Sequence, residues 1–139
     1  MMINSLGLVA AASAFLSIWL GHVAVRRIEF QAKILWVPIT ISLLFGLAVE
    51  FLSIWSNSLL IKTVLGIVGI IMIWSSVEFI RQEKRIKKGH APANLNNPRH
   101  VRILNEFPSA NIHDLLKREP LGKPVTQLEA IQLVNRKEG

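Results

Sequence analysis

The 139-residue chain contains no cysteine, which excludes disulfide frameworks, thiolate zinc sites and cysteine nucleophiles. It has no Gly-rich phosphate loop of the dinucleotide or Walker type and no paired-His zinc helix, so the usual nucleotide and zinc chemistries are not expected. Charge is scarce too, at 18% of residues against 51% apolar. The scarcity is uneven. The first 80 residues include 52 apolar side chains, four Lys/Arg and three Asp/Glu, whereas the remaining 59 include 19, twelve and six. Six of the seven net positive charges therefore lie beyond residue 80. A chain of about this length makes one ordinary domain, so one membrane unit with a small polar appendage is expected.

A helix needs about 20 mainly apolar residues to cross the hydrocarbon core, and three stretches reach that length. They run from about Ile3 to Val25, Ile34 to Trp55 and Leu59 to Ile80. Backbone groups in lipid must be satisfied within the segment, so these stretches are predicted as helices. Ala11-Ala12-Ser13-Ala14 offers small residues of the signal-peptidase kind. The basic n-region of a signal peptide is missing, however, and the apolar run continues past them, which favours an uncleaved span. Trp36 and Trp55 mark the two ends of span two, and Pro38 falls in its first turn, where a missing N–H costs little.

Lys and Arg favour the cytoplasmic side of a membrane. Arg26, Arg27 and Lys33 fill the first connection, Ser56-Asn57-Ser58 carries no charge, and Arg81, Lys84, Arg85, Lys87 and Lys88 follow span three. An odd number of spans puts both basic segments on one side. The expected topology has the N-terminus and the Trp55–Leu59 hairpin outside and residues 81–139 in the cytoplasm.

Ionisable groups inside a span are costly and mark candidate sites. Glu50 and Lys62 lie at similar depth on the two arms of the hairpin, so an ion pair joining spans two and three is the leading expectation. Snorkelling of both, or a proton- or cation-binding role for Glu50, are the alternatives. At the inner end, His22, Arg26 and Arg27 close span one and Glu78 closes span three, where Glu78 can pair with Arg81, hydrogen-bond Gln82, or reach His22 and Arg26 across the bundle. A structural ion cluster is expected there, with a pH-responsive His22–Glu78 element as the alternative. Glu29 lies four residues before Lys33, a favourable helix pair. Small residues recur at packing spacing, with Gly7, Ala11 and Ala14 on one stripe of span one, Ala10, Ala14 and Ser17 on its neighbour, and Gly66 with Gly69 in span three.

Nothing breaks a helix between Glu78 and Lys88, and Gly89 followed by Pro92 is a stop. Span three should continue as a basic helix to about residue 88, forming a juxtamembrane patch attractive to anionic lipid. Short helices are predicted over Pro98–Phe107, Ser109–Glu119 and Thr126–Lys137. The last opens with a capping-box spacing, Thr126 to Glu129, and shows an apolar contact face of Leu128, Ile131 and Val134. His90, His100 and His113 share no metal-ligand spacing. The positive tail is interrupted by Glu106, Asp114, Glu119 and Glu129 and has no aromatic residue but Phe107, so nucleic acid is not an expected partner.

Two runs of residues resemble a family of small, uncharacterised bacterial three-span membrane proteins, a domain of unknown function. One is His22, Val25, Arg27 and Glu29. The other is Trp74, Ser75, Glu78, Gln82, Glu83, Lys84, Arg85, Ile86, Lys88 and Gly89, with Pro92, Asn97 and Pro98 beyond. Val23 and His90 stand where the family has proline and tryptophan, and extra residues separate Pro92 from Asn97. The resemblance covers about residues 1–99 and implies no activity, but it places its matching polar residues, His22, Arg27, Glu29, Glu78, Gln82, Lys84 and Arg85, at one predicted level, the cytoplasmic interface, which makes that patch the preferred candidate site.

The expected fold is all-α. Residues 1–89 form a three-helix transmembrane bundle with a basic extension of the third helix, and residues 90–139 form a cytoplasmic tail with short helices. The expected role is association in the bacterial inner membrane, as an accessory subunit of a larger complex or a homo-oligomer, without enzymatic activity or cofactor. Partners would be membrane lipids and other membrane subunits or a second copy. An oligomeric transporter or channel using Glu50, and a lipid-interacting protein using the inner cluster, are the other readings.

Overall fold

The computed structural model describes residues 5–114. Within them lie α1 (Ser5–Gln31), α2 (Trp36–Trp55), α3 (Leu59–Lys87) and α4 (Pro98–Glu106), and no strand occurs among the described residues. The first three helices are each long and apolar enough to cross a membrane, and the chain is a membrane protein of all-helical fold. The predicted face of Leu128, Ile131 and Val134 and its helix lie outside the described residues.

α1 outruns its predicted end. Its 27 residues rise about 40 Å, against a hydrocarbon core of about 30 Å. Arg26 and Arg27 therefore stand on the helix, and the connection to α2 shrinks to residues 32–35. The sequence offers no breaker before Gln31, and partners from residues 94–99 take up the last carbonyls, as described below.

α3 also runs past the span, as its lack of breakers predicts, and ends at Gly89 with φ +72°. His90 N–H donates to the Arg85 carbonyl (2.8 Å) and Gly89 N–H to the Ile86 carbonyl (2.9 Å), the paired bonds of a Schellman stop. Glycine is required twice over, because a Cβ at this left-handed position would also collide with the Ser109 carbonyl.

α3 is the central helix. α1 and α2 each pack along it, and they share no comparable contact with one another. Gly46 of α2 lets the α2 and α3 backbones meet, since a Cβ there would lie 2.8 Å from Ile73 N and 2.9 Å from the Gly69 carbonyl oxygen. The predicted Gly66–Gly69 stripe is thus used against α2. At the basic end, Val25, Ile39 and Phe79 close the three helices together.

Beyond them is a second small core. Ile86 from the end of α3 meets Ala91, Ala93 and Ile103, with Leu104, Phe107 and Ala110 packed around. Residues 88–114 fold back as a cap over the ends of α1 and α3. The helix predicted over Ser109–Glu119 is absent from its described part, residues 109–114. Polar bonds to earlier segments and one local turn replace it: Ser109 Oγ donates to the Lys87 carbonyl (2.7 Å), Ala93 N–H to the Asn111 carbonyl (2.8 Å), and His113 N–H to Asn111 Oδ1 (3.0 Å).

Candidate functional site

The inner cluster predicted as one patch divides into two. The first half is a stripe on α3. Glu78, Gln82 and Arg85 stand at i, i+4 and i+7, where helical side chains share a face. Glu78 and Gln82 are buried; Glu78 pairs with Arg85 and more loosely with Arg81 (3.7 Å), while Arg85 Nη1 donates to Gln82 Oε1 (2.7 Å). Arg81 lies over the Trp74 ring at 4.8 Å. His22 and Glu78 line a common cavity of about 250 Å³ together with Trp74 and Ser75, but they make no ion pair among the described residues. Arg27 and Lys84 are exposed, and Arg26 approaches Asp114 at 3.9 Å.

The second half centres on Glu29, which leaves the predicted patch for the cap. The predicted Glu29–Lys33 helix pair does not form, because α1 ends at Gln31 and Lys33 is off the helix. Glu29 is 0% exposed, and its Oε1 accepts from Arg99 Nη2 (2.6 Å) with His100 Nε2 at 3.2 Å. His100 is likewise 0% exposed. Its Nδ1 accepts from Asn94 N–H (2.9 Å), which assigns the ring proton to Nε2, facing Glu29. The other carboxylate oxygen, Glu29 Oε2, is buried without a hydrogen-bond partner among the described residues.

Arg99 ties the assembly together. Its Nη1 donates to Glu83 Oε2 (2.7 Å), its Nη2 also to the Glu29 carbonyl (3.0 Å), and its Nε to the Ala32 carbonyl (3.2 Å). Asn94 Nδ2 donates to the Phe30 carbonyl (3.0 Å), and Asn97 Nδ2 to those of Phe30 (3.3 Å) and Ala32 (3.0 Å). The last carbonyls of a helix have no partner within it. Here three side chains from the cap supply them. Asn97 acts on two helices, since its Oδ1 also accepts from Arg99 N–H (3.0 Å) as the N-cap of α4.

Of these residues Glu29 is the one that the sequence marks as a site candidate; Glu83 and Asn97 belong only to the run that resembles the family, and nothing in the sequence marks Asn94, Arg99 or His100 for this role. Glu83 had a local signal, its i+4 spacing to Lys87, with which it forms a 2.6 Å ion pair; Arg99 and His100 had none.

Glu83 links the end of α3 to the cap, pairing with Lys87 on its own helix and with Arg99. Burial pushes its carboxyl up, but the hydrogen bonds and charges of Lys87 and Arg99 outweigh this and hold it below 4.5. A depressed folded-state value contributes stability that is present at neutral pH and lost as pH falls below about 4.5 toward the folded value. Amide-exchange protection factors over residues 98–106, corrected for the intrinsic exchange rate at each pH, should therefore fall on acidification in that window. Glu83→Gln should remove part of the acid dependence, and an unchanged pH profile in that variant would count against the linkage.

The intramembrane pair does not form. Glu50 lies across α3 instead, so that a Cβ at Gly69 would meet its Cγ and Oε1 at 2.9 Å, and Lys62 is exposed. The glycine stripe offers the carboxylate side chain space on its own interface, one turn or more from the lysine. No group of three His, Asp or Glu that could hold a metal occurs among the described residues.

No curated protein and no solved structure matches the chain. The chain does match, over residues 4–97, the family described as a domain of unknown function, DUF4491, and belongs to it.

Proposed function

We propose that this family member acts by association within a bacterial inner membrane, as an accessory subunit of a larger membrane complex or as a homo-oligomer. The supporting observation is how little the three spans cover one another. Only 6% of the apolar window of α1, 17% of that of α2 and 11% of that of α3 is buried within the chain. Along most of its span α1 packs only on α3, and Ala11 of its small-residue stripe is exposed, whereas Gly69 of α3 is buried under α2. Small residues at such spacing serve close helix contact, and on α1 that capacity is left for another chain.

The topology proposed with it has the cap and the residues after it in the cytoplasm. Support comes from the Lys/Arg excess at that end, Arg26, Arg27 and Lys33 on one side and Arg81 to Lys88 on the other. The cap's role in this reading is to hold α1 and α3 at a set spacing, so that the partner surface is presented in one geometry.

The test is native mass spectrometry of the full chain released from native nanodiscs. A mass above the 15.6 kDa monomer, from a second copy or a reproducible protein partner, is expected, and Ala11→Leu should reduce it. A monomer without protein partners would overturn the reading. Proton flux in proteoliposomes that Glu50→Gln abolishes would favour the channel alternative over association.

A further inference from the structure

Because α1 and α2 pack mainly on α3 and meet each other only near Val25 and Ile39 at the basic end, a groove runs between them with α3 as its floor. Its cavity is about 480 Å³ and its lining is almost wholly carbon, including Leu20, Ala24 and Ile28 of α1 and Ile41 of α2. Of the three lining hydroxyls, those of Ser42 and Ser75 are already engaged, donating to the Met72 (2.6 Å) and Ile71 (2.9 Å) carbonyls, and Ser17 supplies the third. The groove therefore offers an occupant contact area and little hydrogen bonding.

Its length has a natural counterpart. Along α3 the lining runs from Val68 to Phe79, about 16 Å at helical rise, and half of the hydrocarbon core is about 15 Å. The groove thus spans one leaflet. It is too narrow for a helix, since 16 Å of helix with side chains, about 10 Å across, fills roughly 1,300 Å³. A single extended hydrocarbon chain suits both the length and the section.

The groove also ends at a charged rim. Ile28 and Pro38 line its basic end, and between them in sequence lies the short connection that carries Lys33. Arg27 precedes Ile28 on α1 and stands seven residues after Leu20, on the flank of the lining stripe. Arg27 and Lys33 are both exposed and neither has an ion-pair partner among the described residues. In a bilayer centred on the three spans, they would stand at the level of the lipid headgroups. We propose that the α1–α2 groove is a binding site for one anionic phospholipid, with an acyl chain along the groove and the phosphate held by Arg27 and Lys33. The site is independent of the association reading, because a monomer would hold the lipid as well as an oligomer.

The experiment uses the full chain in nanodiscs of mixed phosphatidylglycerol and phosphatidylcholine, transferred to mild detergent and weighed by native mass spectrometry. Wild type should retain one phosphatidylglycerol per chain. In the Arg27→Gln/Lys33→Gln variant the preference for phosphatidylglycerol should fall by about tenfold or more, as expected for two near-surface charges. Ala24→Leu, which fills the groove, should lose the retained lipid altogether. Wild type retaining no lipid, or both lipids equally, would overturn the site. So would Ala24→Leu retaining as much as wild type, or an Ala24→Cys variant that crosslinks to another polypeptide in the membrane. The charge-neutralised variant changes only exposed side chains, so its selectivity decides the headgroup assignment even if Ala24→Leu does not fold.

Discussion

Replacing Arg99 by methionine is expected to release the cap from α1, with a loss of local stability of about 3–5 kcal/mol, the usual effect of removing one partner from a buried ion pair. The guanidinium supplies the short bond to Glu29 Oε1, a bond to Glu83, and bonds to the carbonyls of Glu29 and Ala32. Methionine keeps much of the volume and removes every donor. What remains is a fully buried carboxylate with one oxygen already unpartnered and only His100 beside the other. An unsatisfied buried acceptor costs about 1–3 kcal/mol by itself, and more when charged. Amide exchange should report the change, with protection over residues 98–106 collapsing while that of the spans is kept. The double variant Glu29→Gln/Arg99→Met should be less damaged than the two single variants added together, with a coupling above about 1 kcal/mol. Additive effects would mean that Arg99 holds the cap through the backbone carbonyls and not through Glu29.

Alanine at Gly46 should be the most damaging of the methyl additions along the α2–α3 seam, at about 1–3 kcal/mol, the range for overpacked contacts. The added carbon would lie 2.8 Å from Ile73 N and 2.9 Å from the Gly69 carbonyl oxygen. Both are backbone atoms of a helix and cannot turn aside, so α2 must move away along its length. Gly69→Ala meets the Glu50 side chain at 2.9 Å, which can rotate and should give way at lower cost. Gly66→Ala finds Ser53 Oγ at 3.5 Å, ordinary contact, and should be tolerated. The order to look for in denaturant titrations in mixed micelles is Gly46 worst, Gly69 intermediate and Gly66 near neutral. Equal effects at all three would show that helix propensity and not backbone approach governs this seam.

The two perturbations act on different parts of the molecule, and the difference bears on the proposals above. Gly46 sets the angle at which α2 leaves α3 and so the width of the groove. Arg99 sets the end of α1. A chain released by Arg99→Met should still retain a lipid in the groove if the spans hold their packing. A chain splayed by Gly46→Ala should lose it.

Much of the inner-interface patch could be read before the structure, but its wiring could not. Glu78, Gln82 and Arg85 lie within two turns of one helix, where spacing alone says that they meet. Glu29 was assigned to the same patch because it has the same predicted depth. Depth is a property of position along the span, whereas the partner of a side chain depends on the rotation of its helix. For Glu29 that rotation points toward α4, 70 residues away in sequence. The Glu50–Lys62 expectation failed on the same ground: equal depth on adjacent arms does not make two side chains face one another.

Composition and local spacing determined the three spans, the short uncharged hairpin, the extension of α3 and its stop at Gly89, because each rests on free energies settled within one helix or turn. Tertiary structure alone decided that α3 is central, that α1 and α2 leave a groove, and that Arg99, Asn94 and Asn97 finish α1. The spans are apolar nearly all round, so their sequences carry little of the one-sided pattern that tells which face turns inward. The end of α1 is completed by donors brought from residues 94–99, and no spacing rule relates residues that only folding makes neighbours.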